Sequence, residues 1–255
     1  MTRGALIFAY NNESIDYQRI AQLNEKLIGK NLGVPTTIIT GTKERTNART
    51  FRYGEESEVV SWHNTDRMTA YELSPYDETL LLDADYLILS DNLNFVWGTS
   101  SEFLCANSVY DVTGKNSFHA NKMMSKYSFP LRWATCVYFR KTPYAKSIFD
   151  MMAEVRDNYE YYSLLFNFRA KPYRNDFALS VALQLLSGYN DNSNHFHFPL
   201  ASLSTHDKIA KVKEDGTIII EYESGDKTFQ TRVKGTDLHV MDKHNLIDHI
   251  TEFGT

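Results

Sequence analysis

The chain alternates short, continuous apolar runs with helical periodicities, the pattern of buried strands packed between helices. Gly4-Ala-Leu-Ile-Phe-Ala-Tyr10 is an unbroken apolar run of strand length. Ile20, Leu23, Leu27 and Ile28 then recur at helical spacing, with Gly29 and Gly33 where that helix should stop. Pro35-Thr-Thr-Ile-Ile-Thr40 returns as a β-branched strand. Two strands joined by a helix of this length predict a parallel pair with a right-handed crossover. Residues 41–57 are polar and give no pattern; Asn64 or Thr65 is placed to cap a short helix running through Leu73. Thr79–Leu82 reads as a buried central strand, broken at Asp83-Ala84-Asp85 and resumed over Tyr86–Leu89. A further strand is expected over Trp133–Phe139. Thr142 before Pro143 makes an N-cap and first-turn pair for a helix reaching about Tyr161. Another helix should open at Asn175 or Asp176 and end near Gly188. Thr217–Tyr222 and Thr228–Val233, joined by Glu223-Ser-Gly-Asp226, predict an antiparallel hairpin.

No repeat, low-complexity tract or linker interrupts this order, and 255 residues suffice for one α/β domain with a full core. The expectation is a single domain over 1–255 with a mostly parallel central sheet, flanking helices and a C-terminal β-hairpin. No apolar run approaches the roughly 18 residues that cross a bilayer, and Met1-Thr2-Arg3-Gly4 leads straight into a strand rather than a signal peptide. Cys105 and Cys136, both in hydrophobic surroundings, read as buried thiols. Together these predict a cytoplasmic protein with no membrane partner.

Charge changes the picture in one place. A net charge of −5 argues against general affinity for nucleic acid, yet no Asp or Glu occurs between Val112 and Phe149. That stretch carries Lys115, Lys122, Lys126, Arg132, Arg140, Lys141 and Lys146, and Arg169, Lys171 and Arg174 follow. Basic residues here are interleaved with aromatics, among them Phe118, Tyr127, Phe129, Trp133, Tyr138 and Tyr173, a mixture that suits a polyanion with exposed bases.

The strongest chemical signal is Asp83-Ala84-Asp85. Two carboxylates one residue apart sit where a buried strand ends, and ligands of open α/β sheets bind at the carboxyl ends of strands. A carboxylate there needs a partner. A divalent cation bridging to a diphosphate supplies one, and oxygen ligands favour Mn²⁺ or Mg²⁺ over zinc. The plain alternative is that both aspartates cap a turn.

The run from Arg67-Met-Thr-Ala-Tyr-Glu-Leu through Leu80-Leu-Leu-Asp83-Ala84-Asp85 resembles the corresponding segment of glycogenin-like, retaining glycosyltransferases of the GT-A fold. Ala9-Tyr10-Asn11 matches the place where such enzymes hold base and ribose, and Asp237-Leu-His239-Val-Met-Asp-Lys243-His244 resembles their late histidine motif. The resemblance implies a GT-A domain that moves a sugar from a nucleotide diphosphate-sugar, with uridine as the base, to an acceptor hydroxyl with retention of configuration. It implies Asp83, Asp85 and His239 as metal ligands for Mn²⁺ or Mg²⁺. Ala9, Tyr10, Asn11, Arg67, Asp83, Ala84 and Lys243 would hold the donor, and Arg67 would also neutralise its diphosphate. The family's glycine and its longer interval between histidine and lysine are absent, which leaves His244 open beside His239. Tyr173-Arg174-Asn175-Asp176 opens a helix where these enzymes place an acidic residue against the transferred sugar, so Asn175 and Asp176 join Arg67 as catalytic candidates; either is equally an N-cap. Trp133–Tyr138, preceded by Pro130-Leu131-Arg132, would form the acceptor-side wall.

The style also resembles small bacteriophage sugar transferases, some of which modify hydroxymethylated bases. That likeness and the basic zone make such a base in DNA a candidate acceptor, flipped out of its duplex, with the host cytoplasm as the location. Two other readings stay open. A sugar-phosphate nucleotidyltransferase would carry a glycine-rich basic loop after the first strand, where this chain has Ala9-Tyr-Asn-Asn-Glu13. A non-catalytic nucleotide-sugar-binding domain would have no need of Asp83, Asp85 and His239 together.

Overall fold

The N-terminal apolar run forms β1 (Arg3–Phe8), buried at every position after Arg3. Asp16 then caps α1 (Tyr17–Asn31) by accepting from the Arg19 N–H, and the helix turns Ile20, Leu23, Leu27 and Ile28 inward. β2 (Thr36–Ile39) returns parallel to β1, as the strand–helix–strand pattern requires. The computed structural model describes residues 1–40, 47–48, 51–52, 55–56, 60–61, 66–115, 123–125, 129–168, 173–190 and 195–254. Asn64, Thr65, Phe118, Lys122, Lys126, Tyr127, Arg169 and Lys171 lie outside them. Four two-residue strands follow β2: β3 (Asn47–Ala48), β4 (Phe51–Arg52), β5 (Glu55–Glu56) and β6 (Val60–Ser61), with β3 paired to β6 and β4 to β5. A 3₁₀ turn at Arg67–Thr69 runs into α2 (Ala70–Leu73).

The central strand is β7 (Glu78–Asp83). The chain does not continue along the same sheet after Asp83. It turns at Ala84 and Asp85, and β8 (Tyr86–Leu87) joins a second sheet. Asn24 of α1, fully buried, fixes this departure: its Nδ2 donates to the Tyr86 carbonyl at 2.7 Å and its Oδ1 accepts from the Ile88 N–H at 3.0 Å. β9 (Phe103–Ala106), β10 (Val109–Asp111) and β11 (Trp133–Arg140) follow. Thr142 accepts from the Ala145 N–H to start α3 (Pro143–Asp157), as its sequence predicts. The helix ends sooner than expected, because Asn158 leaves helical geometry at φ −117° and ψ 35° and a separate α4 (Tyr159–Leu165) begins. The chain then forms α5 (Asn175–Leu186), β12 (Leu200–Leu203), β13 (Lys208–Val212), β14 (Ile218–Ser224), β15 (Lys227–Val233), β16 (Leu238–Val240) and α6 (Lys243–Asp248).

The first sheet has the order β2-β1-β7-β11-β9. β2, β1 and β7 are parallel, β11 runs against β7, and β9 runs against β11, so β11 alone is reversed. The second has the order β10-β12-β16-β8, parallel except at β8. This is the mixed α/β architecture expected, with α5 packed on α3 and β11, and α1 against β2, β8 and α6. The hairpin of β14 and β15 is present, turning at Gly225 (φ +59°) and Asp226, and β13 adds a third strand to it. Both cysteines are buried thiols, and burial pushes Cys105 up to about 12. Among the described residues no helix is long and apolar enough to cross a membrane.

Two features set the base of the central sheet. Glu78, 1% exposed, accepts from the Tyr138 hydroxyl at 2.8 Å, from Arg3 Nε at 2.8 Å and from Arg140 Nε at 3.0 Å, tying β1, β7 and β11 together. At Gly4 the sheet passes under the ring of Tyr76, where a Cβ would lie 2.3 Å from the ring carbon Cζ. Gly4→Ala should therefore destabilise the protein by about 1–3 kcal/mol in urea denaturation. In a Tyr76→Ala background the same change should cost far less, because the ring that the methyl would meet is gone.

Candidate active site

β7 and β11 part at one end, and the cavity begins there. Their pairing runs from Glu78–Arg140 to Leu82–Cys136 and stops, and β11 shifts register against β9 between Trp133 and Val137. Backbone groups at this split need partners. Arg67, 1% exposed, supplies them: Nη2 donates to the carbonyls of Ala134, Leu81 and Thr135, the last two at 3.4 Å. Its Nη1 donates to Asp83 Oδ1 at 2.7 Å. The guanidinium thus closes the strand seam and brings a positive charge to the end of β7.

Asp83 ends β7 and Asp85 sits in the turn after it. His239 arrives from the second sheet, where β16 pairs with β8 in the register His239–Tyr86 and the Val240 N–H donates to the Asp85 carbonyl at 2.9 Å. One ligand atom from each of Asp83, Asp85 and His239 lies within 4.8 Å of the other two. Lys243, the first residue of α6, reaches the same point: its Nζ is 2.6 Å from Asp85 Oδ2, and His239 Nε2 is 3.4 Å from that oxygen. Burial by itself would raise Asp85, but Lys243 and His239 outweigh it and hold the carboxyl below the usual range. Asp83 moves the other way, raised by burial despite Arg67, with the Asp85 charge adding to the shift. Lys243 is pulled down by burial and up more strongly by Asp85, so it stays an ammonium.

These groups face a cavity of about 610 Å³. Its wall includes Tyr10, Arg67, Asp83, Ala84, Asp85, Asn175, Asp176, His239 and Lys243, so most of the residues named from sequence meet in one place. Ala9 and Asn11 do not line it. Ala9 is buried in the core, and Asn11 binds the start of α1, accepting from the Gln18 N–H and donating to Asp16, both at 2.9 Å. His244 is exposed and stands apart from the cluster. Trp133 opens the β11 wall, while Tyr138 lies in the core with its hydroxyl on Glu78. Asp176 sends Oδ1 to the Ala134 N–H at 2.9 Å and Oδ2 to Arg174 Nη2 at 2.7 Å.

Tyr17 and Ser202 also line the cavity, and neither is marked by a motif. Burial raises the Tyr17 phenol, with Lys243 lowering it and both aspartates raising it, which puts its ring beside the charged cluster. Its position as the first residue after the α1 cap was the available signal. Ser202 comes from β12, opposite His239, and four residues of strand gave no pattern to read.

No family model matches the chain, and no curated protein matches it by sequence. Among solved structures it is similar to the glycosyltransferase GlyE of Streptococcus pneumoniae TIGR4, at 11% identity over 77% of this chain and a TM-score of 0.42; it spans 46% of that chain. It is also similar to the galactosyltransferase LgtC in complex with donor and acceptor sugar analogs, at 15% identity over 69% of each chain with a TM-score of 0.41. A third is a glycosyltransferase involved in glycosylation of the major capsid of PBCV-1, at 14% identity over 68% of this chain and 80% of that one, with a TM-score of 0.32. Likeness at this level carries no conclusion about activity.

Asp237, two residues before His239, anchors β16. Its Oδ1 accepts from the N–H groups of Leu89 and Ser90, each at 2.8 Å, while buried Oδ2 has no hydrogen-bond partner among the described residues. Burial lifts this carboxyl to about 6. A raised carboxyl favours the fold while it stays protonated, so its contribution is full below about pH 4, the unfolded value, and is lost as pH rises to about 6. Asp237→Asn keeps an acceptor for Leu89 and Ser90 without the charge. It should stabilise the protein by about 2 kcal/mol at pH 7.5 and by nearly nothing at pH 4, read from urea denaturation at both values.

Proposed function

We propose that this protein is a metal-dependent glycosyltransferase of the GT-A type, moving a sugar from a nucleotide diphosphate-sugar, with uridine as the base, to an acceptor hydroxyl with retention of configuration. The observation that carries the reading is the convergence of Asp83, Asp85 and His239 within 4.8 Å at the end of the central strand. Arg67 and Lys243 flank that cluster in one cavity.

The donor set fits a divalent cation. Two carboxylates and an imidazole make a hard oxygen–nitrogen site of the kind that takes Mn²⁺ or Mg²⁺, and Asp85 already has a cationic partner in Lys243. Bound there, the ion would offset the negative charge that develops on a leaving diphosphate. Lys243, on the short side chain-to-carboxylate contact with Asp85, is placed to turn its ammonium to phosphate oxygens when Asp85 takes a metal. Arg67 serves differently: buried and held by three carbonyls, it fixes Asp83 in place and keeps a permanent positive charge behind it. Tyr10 and Tyr17 give the cavity aromatic surface for a base and ribose. Asp176, held by the Ala134 N–H and Arg174, is the acidic residue we assign to face the transferred sugar, and the leaving phosphate itself is the base we assign for the incoming hydroxyl.

Neither alternative enzyme class nor a DNA acceptor gains from the structure. The segment after β1 carries no cation into the cavity, as a nucleotidyltransferase would need. The acid-free stretch is not a positive face among the described residues. Lys115 pairs with Asp207, Arg140 with Glu78, and Lys146 with Asp150 and Glu72, all acids from outside the stretch. Phe129, Tyr138 and Tyr173 are core residues.

The reading is tested by a thermal-shift screen of UDP-, GDP-, ADP- and CMP-sugars with and without Mn²⁺. A Mn²⁺-dependent rise of about 5 °C with one nucleotide class is expected near saturation. Asp85→Ala should remove that rise and leave the metal-free melting curve cooperative. Binding that is equal without metal, or unchanged in Asp85→Ala, contradicts the assignment.

A further inference from the structure

The wall made by the start of α5 offers its hydrogen-bonding atoms unequally. Asp176 commits both carboxylate oxygens within the protein, to the Ala134 N–H at 2.9 Å and to Arg174 at 2.7 Å. The amide oxygen of Asn175 accepts from the Tyr173 hydroxyl at 3.1 Å. Each of these acceptors thus already holds one of the protein's own donors. Arg174 is the contrast. Its side chain is 42% exposed and lines the cavity, with one edge held by Asp176 and the guanidinium 5.7 Å from the centre of the Phe177 ring.

A guanidinium has five N–H donors and no acceptor. A neutral sugar needs donors and acceptors together, because each hydroxyl both gives and receives a hydrogen bond. The partly exposed guanidinium of Arg174 offers the cavity donors alone, which suits a group that only accepts. The other two cations of the cavity are bound to Asp83 and Asp85, at the diphosphate end. Arg174 is pre-set by its carboxylate and its aromatic support, which lowers the ordering cost of a bidentate contact.

We propose that Arg174 is a specificity residue that binds a carboxylate or phosphate carried by a sugar substrate, either the donor's sugar or the acceptor, with Asp176 as its positioning residue. This rests on the glycosyltransferase reading and narrows its substrate class to anionic sugars.

Isothermal titration with Mn²⁺ tests it, using UDP, UDP-glucose and UDP-glucuronate on the wild type, Arg174→Gln and Arg174→Lys. UDP should bind wild type and Arg174→Gln alike, which shows that the variant is folded and the nucleotide site intact. The wild type should bind UDP-glucuronate at least about tenfold more tightly than UDP-glucose. Arg174→Gln should erase that preference and Arg174→Lys keep part of it. Where the donors are not distinguished, UDP release is followed with glucose and glucose 6-phosphate as acceptors. A preference for the phosphate, with KM raised about tenfold in Arg174→Gln, places the anion on the acceptor. Discrimination in neither arm, or discrimination that survives in Arg174→Gln, overturns the proposal. So does loss of UDP binding in that variant alone, which would put Arg174 on the diphosphate. Failure of the wild type to bind any of the three instead removes the parent reading, and this one with it.

Discussion

A guanidinium buried in the seam between two strands is the constraint on which the site depends. β7 and β11 cannot stay paired to their ends if a cavity is to open between them, and parting them strands carbonyls that water does not reach. Arg67 answers both needs, bonding the carbonyls of Leu81, Ala134 and Thr135 through Nη2 and reaching Asp83 through Nη1. Removing one member of such a buried set leaves the others uncompensated, which costs far more than the set contributes in net stability. The cavity, the end of the central strand and the first carboxylate are one structural decision.

The second sheet completes that decision. Asn24 redirects the chain after Asp85, so that β8 leaves the first sheet and gives β16 a strand to pair with. His239 thereby reaches the two aspartates from a separate sheet, and Lys243 reaches them from the first turn of α6. The charges are matched rather than accumulated. Asp83 faces Arg67, Asp85 faces Lys243, and Asp176 faces Arg174. A divalent ion entering with a diphosphate adds opposite charges to a site that is already balanced, so neither is drawn in strongly without the other.

Much of this was legible in the sequence, for local reasons. The β1–α1–β2 unit, the buried strand ending in Asp83, the Thr142–Pro143 helix start and the turn at Gly225 each carry their signal within a few residues. What could not be read depends on distant partners. β9, β10 and β12 are short, and they are strands only because neighbours pair with them. The apolar run from Leu80 to Leu89 conceals a change of sheet, since periodicity reports burial and not which sheet is joined. The four-residue step from His239 to Lys243 is shorter than the interval the resemblance implies, but it spans a strand end and a helix start, and both side chains reach Asp85. The partners of the basic stretch could not be read because they lie far along the chain: Lys115 meets Asp207, and Arg140 meets Glu78.

The central claim is that Asp83, Asp85 and His239 together form one divalent-cation site coupled to a nucleotide diphosphate. Electron paramagnetic resonance of Mn²⁺ tests it directly, because the free ion's six-line signal falls as the ion is bound. With UDP present, the account predicts one Mn²⁺ per chain in the wild type, weakened at least about tenfold in His239→Ala and weakened again when UDP is withheld. Binding of equal strength in His239→Ala, or no bound Mn²⁺ with UDP at saturating concentration, would contradict it.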